Sequence, residues 1–177
     1  MIISIVASGE TAKDWHKVKF DLSIGCNDSA KFGKDPDWLV LVNARRKFRE
    51  RLDIIKQTQA KRVLVSSLKE WSPIFPKAER LNRLVEYHMR TRIRIGAHYT
   101  MRTSPIICIS LALAAGATDI ILWGCEFLSH RSFRIGTKKG DREVALYLDF
   151  FKKIEALGVR VWLGAEGSAF KLPIWKQ

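Results

Sequence analysis

Three runs in this chain, residues 2–6 (IISIV), 38–42 (WLVLV) and 119–123 (DIILW), are almost unbroken sequences of aliphatic and β-branched side chains. A strand with one wet face alternates apolar and polar residues, whereas a strand that is apolar throughout must be covered on both sides. That is the condition of strands in a parallel sheet. Residues 1–7, 21–26, 38–42, 62–66, 119–123 and 159–163 read as strands. The stretches between them carry helical signals. Residues 10–17 can form a short helix with Thr11 near its cap. Residues 44–58 place Phe48, Leu52 and Ile55 at helical spacing with Arg45, Arg46, Arg49 and Lys56 elsewhere. Thr103 or Ser104 caps, and Pro105 begins, an apolar helix ICISLALAAGA that has to be buried nearly all round. Residues 141–157 form an amphipathic helix with Val144, Leu148, Phe151 and Ile154 on one stripe and Gly158 as its stop.

Strands alternating with helices imply an α/β fold: one Rossmann-like domain over residues 1–177, a mostly parallel sheet flanked by helices. Residues 67–102, broken by Pro73 and Pro76, read as an irregular lid-like insertion with a helix from Lys77 to Tyr87. No run approaches the roughly 20 apolar residues of a membrane span, and residues 1–5 read as a core strand rather than a signal peptide, so the expected compartment is the cytoplasm. Cys26, Cys108 and Cys125 are odd in number and lack CxxC spacing, which points to reduced, partly buried thiols rather than a disulfide framework or a zinc site.

In such sheets ligands sit outside the strand C-terminal ends, so the chemistry is expected in the loops after strands. Ser8 and Gly9 follow the first strand and can admit a phosphate to a helix N-terminus, although a lone glycine there also serves as a plain turn. Asn27 and Asn43 each follow a strand, where an amide can hold a ribose, a phosphate or a base, or simply cap a loop. Thr103 and Ser104 suit a phosphate or ordinary helix capping. Gly124 leads into Glu126 and His130, a carboxyl and an imidazole that can act as acid and base or be a solvated loop pair. Lys and Arg number 31 against 18 Asp and Glu, a formal charge of +13. Arg45, Arg46, Arg49, Arg90, Arg92, Arg94, Lys138 and Lys139 form the expected basic surface, suited to polyanions by long-range attraction.

The order Ser8-Gly9, then Gly25-Cys26-Asn27-Asp28, a strand ending at Asn43, and Thr103-Ser104 opening an apolar helix that leads to IILWGCEF, resembles the bacterial sialyltransferases of the Campylobacter type. It also resembles the related pterin-pyrophosphokinase-like proteins, some of them from phages. The resemblance implies that Asn27, Asn43 and Ser104 bind the CMP portion of a nucleotide-sugar donor, with no cofactor and no metal. It also exposes departures. The glycine-rich first loop is reduced to Ser8-Gly9-Glu10-Thr11, the phosphate-holding tyrosine falls at Leu128, and the catalytic histidine falls near Thr137.

Three functions follow as expectations. The first is a glycosyltransferase-like protein that binds a nucleotide or nucleotide-sugar and moves the sugar to an acceptor hydroxyl, with His130 or Glu126 as base. The second is a non-catalytic basic protein on the same scaffold, bound to nucleic acid or to a phage particle. The third is a pterin-type pyrophosphokinase using ATP and Mg²⁺.

Overall fold

The computed structural model describes residues 1–81, 103–126 and 135–176. Seven strands, β1 (Ile2–Val6), β2 (Leu22–Cys26), β3 (Trp38–Leu41), β4 (Arg62–Val65), β5 (Glu79–Arg80), β6 (Asp119–Trp123) and β7 (Arg160–Leu163), form one sheet. Their order is β5-β4-β3-β2-β1-β6-β7, and every neighbouring pair is parallel. The chain therefore moves outward from β1 through β5, returns to the other side of β1 at β6, and moves outward again. The reversal between β1 and β6 is a topological switch point, where ligands of open parallel sheets collect.

The apolar runs are buried on both faces, residue by residue. Ile3, Ile5, Val40, Leu64, Ile120 and Leu122 belong to the core of one face. Their neighbours Leu39, Leu41, Val63 and Val65 pack on the other face beneath β3 and β4, and Val6, Ile121 and Trp123 pack there beneath β1 and β6. The first face is covered by the helices Ser104–Ala114 and Lys138–Glu155, the second by a 3₁₀ segment Glu10–Lys17 and the short helices Leu52–Lys56 and Leu68–Trp71. Helix Ser104–Ala114 lies across β1, β2 and β3 with nine of its eleven residues buried, which is why it can be apolar all round. Its buried Ser110 is satisfied by donating to the Ile106 carbonyl at 2.9 Å.

Three expectations need correction. Residues 44–58 do not form one helix: 3₁₀ turns at Arg45–Lys47 and Arg49–Arg51 precede helix Leu52–Lys56, and Arg49 takes a left-handed φ of 34°. The break turns Phe48 inward against Trp71, with ring centroids 5.5 Å apart, and leaves Arg51 free to reach back to Asp28. Of the helix expected over residues 77–87, the first four residues are instead a turn and the edge strand β5, held by the Arg62–Glu79 ion pair at 2.7 Å; Leu81 is helical, and residues 82–87 lie outside the described residues. The long helix begins at Lys138, three residues before its expected start, because Thr137 caps it by accepting from the Gly140 N–H at 3.1 Å. Its buried stripe runs Glu143, Val144, Tyr147, Phe150, Phe151, Ile154, and Leu148 faces outward.

Beyond β7 the chain folds back so that Ile174 pairs with Leu163, covering that edge of the sheet. Cys26, Cys108 and Cys125 are free and buried, as their spacing implied. Among the described residues no helix is long and apolar enough to cross a membrane.

Candidate functional site

All loops that follow β1, β2, β3, β4 and β6 open on one edge because the strands are parallel. At the switch point the loops after β1 and β6 are fused through backbone. Gly9 N–H donates to the Gly124 carbonyl at 3.1 Å, and Thr11 Oγ1 accepts from the Gly124 N–H at 2.9 Å. Gly124 has φ 71°, and a Cβ there would lie 2.8 Å from Ala7 and Gly9 backbone atoms. Only glycine fits so close an approach.

Glu126 completes this joint. Its Oε1 accepts from the Thr11 N–H at 2.6 Å, and a Cβ on Gly9 would stand 1.6 Å from its Oε2. The carboxyl thus lies on the first free N–H groups of segment Glu10–Lys17, the place where a bound anion is favoured. Gly9 leaves room for this side chain, not for an incoming phosphate. Glu126 ties the β6 loop to the β1 loop through this hydrogen bond.

One strand further on, the loops after β1, β2 and β3 share a buried carboxyl that sequence reasoning quoted only as part of a motif. Asp28 is 2% exposed; its Oδ1 accepts from Ser8 Oγ at 2.8 Å and from Arg51 at 3.0 Å. Ser8 therefore serves as a strut for the β2 loop. A basic face read at helical spacing gives no sign of a residue turned back by a chain break, as Arg51 is here.

Asn27 sits directly after β2 with φ 58°, a left-handed conformation that asparagine tolerates better than most residues. This conformation carries its side chain across to the head of helix Ser104–Ala114, where Nδ2 donates to Ser104 Oγ at 3.4 Å. Its Oδ1 is buried and has no hydrogen-bond partner. Neither Thr103 nor Ser104 caps the helix with its side chain. Thr103 Oγ1 instead pairs with the hydroxyl of the fully buried Tyr147, on helix Lys138–Glu155. Burial pushes that hydroxyl well above the ordinary tyrosine range. Cys125, Cys26 and Glu143 add to the rise, and the Thr103 hydrogen bond opposes it. Burial likewise raises the Cys125 thiol, while Cys26 is raised first by its contact with Cys108 and then by burial.

Asn43, after β3, is exposed, with no hydrogen bond from its side chain among the described residues. Beside it Arg45 and Arg46 border a cleft of about 470 Å³ shared with Ser67, Lys69, Glu70 and Pro73. The Arg45 N–H donates to Glu70 Oε2 at 2.7 Å, which holds the two walls in register. Arg49, Lys138 and Lys139 are exposed. Thr137, where the resemblance puts a catalytic histidine, is the cap of the long helix. His130, Arg90, Arg92 and Arg94, Leu128 and residues 82–102 of the expected lid lie outside the described residues.

Four strand-end loops, those after β1, β2, β3 and β6, are thus braced by Asp28 and Glu126, and the Asn27–Ser104 pair joins the β2 loop to the head of helix Ser104–Ala114. The fold is that of the Campylobacter sialyltransferases. The sialyltransferase CstII from Campylobacter jejuni, solved with the substrate analogue CMP-3FNeuAc, is similar with a TM-score of 0.64 at 13% identity; the match covers 98% of this chain and 84% of that one. CST-II in complex with a trisaccharide acceptor and CMP gives 0.58 at 15% identity, over 96% and 83% of the two chains. The monofunctional α-2,3-sialyltransferase Cst-I from Campylobacter jejuni gives 0.61 at 14% identity, over 98% and 80%. No protein-family model and no curated protein sequence matches the chain.

Proposed function

We propose that this protein is a glycosyltransferase of the nucleotide-sugar-dependent kind, whose strand-end loops hold the CMP portion of its donor. The observation that carries the reading is the Asn27–Ser104 pair: two polar side chains in contact at the C-terminal edge, with the Asn27 Oδ1 buried and unpartnered. Neighbours of the same fold were solved with CMP. A buried amide oxygen without a donor costs free energy, and a ligand hydroxyl or amine would recover it. Asn43 would meet the nucleotide from the adjacent loop, and Arg45 and Arg46 would attract its phosphate as it arrives. The reaction would transfer the sugar to an acceptor hydroxyl and release the nucleoside monophosphate, with no metal required.

Calorimetric titration of CMP, UMP, GMP and ATP tests the reading. CMP is expected to bind, and Asn43→Ala to weaken it about 2- to 12-fold, the equivalent of about 0.5–1.5 kcal/mol for one polar contact. Absent CMP binding, or an unchanged affinity in the Asn43 variant, would remove the proposed nucleotide site or that residue from it. Turnover that survives EDTA is the expected result for a transfer without metal.

A further inference from the structure

Around the sheet, basic side chains that stand near a carboxylate are spent on it. Arg51 pairs with Asp28, Lys61 with Asp37, Arg62 with Glu79 and Arg160 with Asp119. The cleft between the loops after β3 and β4 departs from this pattern. Arg45, Arg46 and Lys69 line it together with Glu70, yet none of the three forms an ion pair among the described residues. Glu70 is turned to the backbone instead, its Oε2 accepting from the Arg45 N–H at 2.7 Å. Ser67, on the same wall, does not cap the helix it precedes with its hydroxyl. Three cations and one carboxylate leave the lining with a net charge of +2. Like charges gathered in a concavity focus a field on whatever enters, which a flat solvated basic face does not do.

Size and place narrow what that is. The cleft holds about 470 Å³, within the range of pockets that enclose one small molecule. It opens at the C-terminal edge, because Arg45 and Arg46 follow β3 and Ser67 follows β4, its parallel neighbour. Strands stand about 4.8 Å apart, so the gap between β3 and β4 is offset from the end of β2, where Asn27 sits, by roughly 7 Å along the sheet edge. A single sugar ring spans that offset. A phosphate monoester carries a charge of about −1.5 to −2 at neutral pH, whereas a carboxylate carries a single charge. Its three terminal oxygens can accept from guanidinium forks and an ammonium at once. The lining therefore matches a phosphate better than a carboxylate.

We propose that this cleft is a binding site for a sugar bearing a phosphate monoester, the phosphate held by Arg45, Arg46 and Lys69 with Ser67 beside them. That such a sugar is the acceptor rests on the nucleotide-sugar reading, in which the donor lies toward Asn27 and Ser104. The two sites are then neighbours on one sheet edge and fill independently.

Calorimetry on the full chain tests this with three ligands built on one ring, glucose, glucuronate and glucose 6-phosphate, each with and without added CMP. Glucose 6-phosphate is expected to bind about tenfold or more tightly than glucuronate, and glucose not to bind detectably. Arg46→Gln and Lys69→Gln should each weaken glucose 6-phosphate about tenfold, as befits a lost charge-assisted hydrogen bond. Both side chains are exposed, so the variants should melt with the parent. Lys152→Gln, exposed near the far end of helix Lys138–Glu155, should leave the affinity unchanged. Affinity retained in the presence of CMP is the result expected of a site beside the donor. No binding of glucose 6-phosphate, or glucuronate bound as tightly, would overturn the proposal. So would a Lys152 variant as weak as the Lys69 variant, which would reveal attraction to the basic surface as a whole, and so would displacement by CMP, which would put the phosphate in the nucleotide site. A chain that binds glucose 6-phosphate but not CMP would support the cleft while removing the nucleotide-sugar reading, and the acceptor role with it.

Discussion

Replacing Gly9 by alanine isolates the joint between the β1 and β6 loops. The added methyl would stand 1.6 Å from Glu126 Oε2 and 2.6 Å from the Gly124 carbonyl oxygen. The first contact forces the carboxyl off the Thr11 N–H, losing a charge-assisted hydrogen bond of about 1.5–3 kcal/mol. The second requires backbone to move, because neither loop has a flexible atom to yield, and brings the expected loss to about 2–4 kcal/mol by analogy with other overpacking substitutions. For a chain of this size each kcal/mol is worth about 2–4 °C, so the melting temperature should fall by about 4–16 °C. Thermal and urea unfolding of Gly9→Ala, Glu126→Ala and the double variant complete the cycle. In the Glu126→Ala background the alanine meets only the Gly124 carbonyl, so the two losses should fall short of additivity by about 1.5–3 kcal/mol. A Gly9→Ala protein as stable as the parent, or strictly additive losses, would refute the claim that Glu126 occupies the space above Gly9.

Three further outcomes can be measured on the same material. Asn43→Ala should change stability by less than about 0.5 kcal/mol, as befits an exposed residue, so that any loss of CMP affinity reads as a lost contact. Arg51→Ala should destabilise by about 1 kcal/mol, a figure kept low because the arginine is half exposed although its partner Asp28 is buried; a urea midpoint equal to the parent's would show that Ser8 alone satisfies Asp28. Asp119 supplies a pH dependence. Burial would raise its carboxyl, but hydrogen bonds from Arg160, Trp162 and Thr118 outweigh that and hold it below the ordinary value. The unfolded chain therefore binds the proton more readily, so the stabilisation is complete above about pH 4 and disappears as pH falls through the folded value. Urea midpoints between pH 7 and pH 2 should drop less steeply in Asp119→Asn than in the parent, and parallel curves would remove Asp119 from the account.

The sheet was legible because burial on both faces leaves a continuous apolar run, and WLVLV and DIILW have no other use. The helix at Ser104 was legible for the same reason. Residues 44–58 misled because periodicity records which positions are apolar, and Phe48 and Ile55 are indeed buried, but it is silent about a backbone break that lets Arg51 turn toward Asp28. β5 was invisible: two residues, Glu79 and Arg80, pair only because the sheet edge is already there. Asn27 and Ser104 were singled out as candidates from their positions after a strand and before a helix, and the structure puts them in contact. Glu126 was noticed for its chemistry, yet its partner is a backbone N–H 115 residues earlier in the chain, which no local pattern encodes. Glu143 was passed over because glutamate in an amphipathic helix reads as surface. Only its burial, shared with Val144, Tyr147 and Phe151 of the same helix, reveals that it points inward.

The glycine-to-glycine contact between the β1 and β6 loops has a practical meaning for anyone wishing to vary the strand-end loops. The joint at the switch point is made of main chain and the Glu126 carboxyl, so it offers no side chain to vary and punishes even a methyl group. Variation has to come from the margins, at Asn43, Arg45, Arg46, Ser67 and Lys69, where side chains are not built into the core. A library directed to those five positions should retain folded protein in most of its members, while one directed to Gly9, Gly124 and Glu126 should yield few that survive expression.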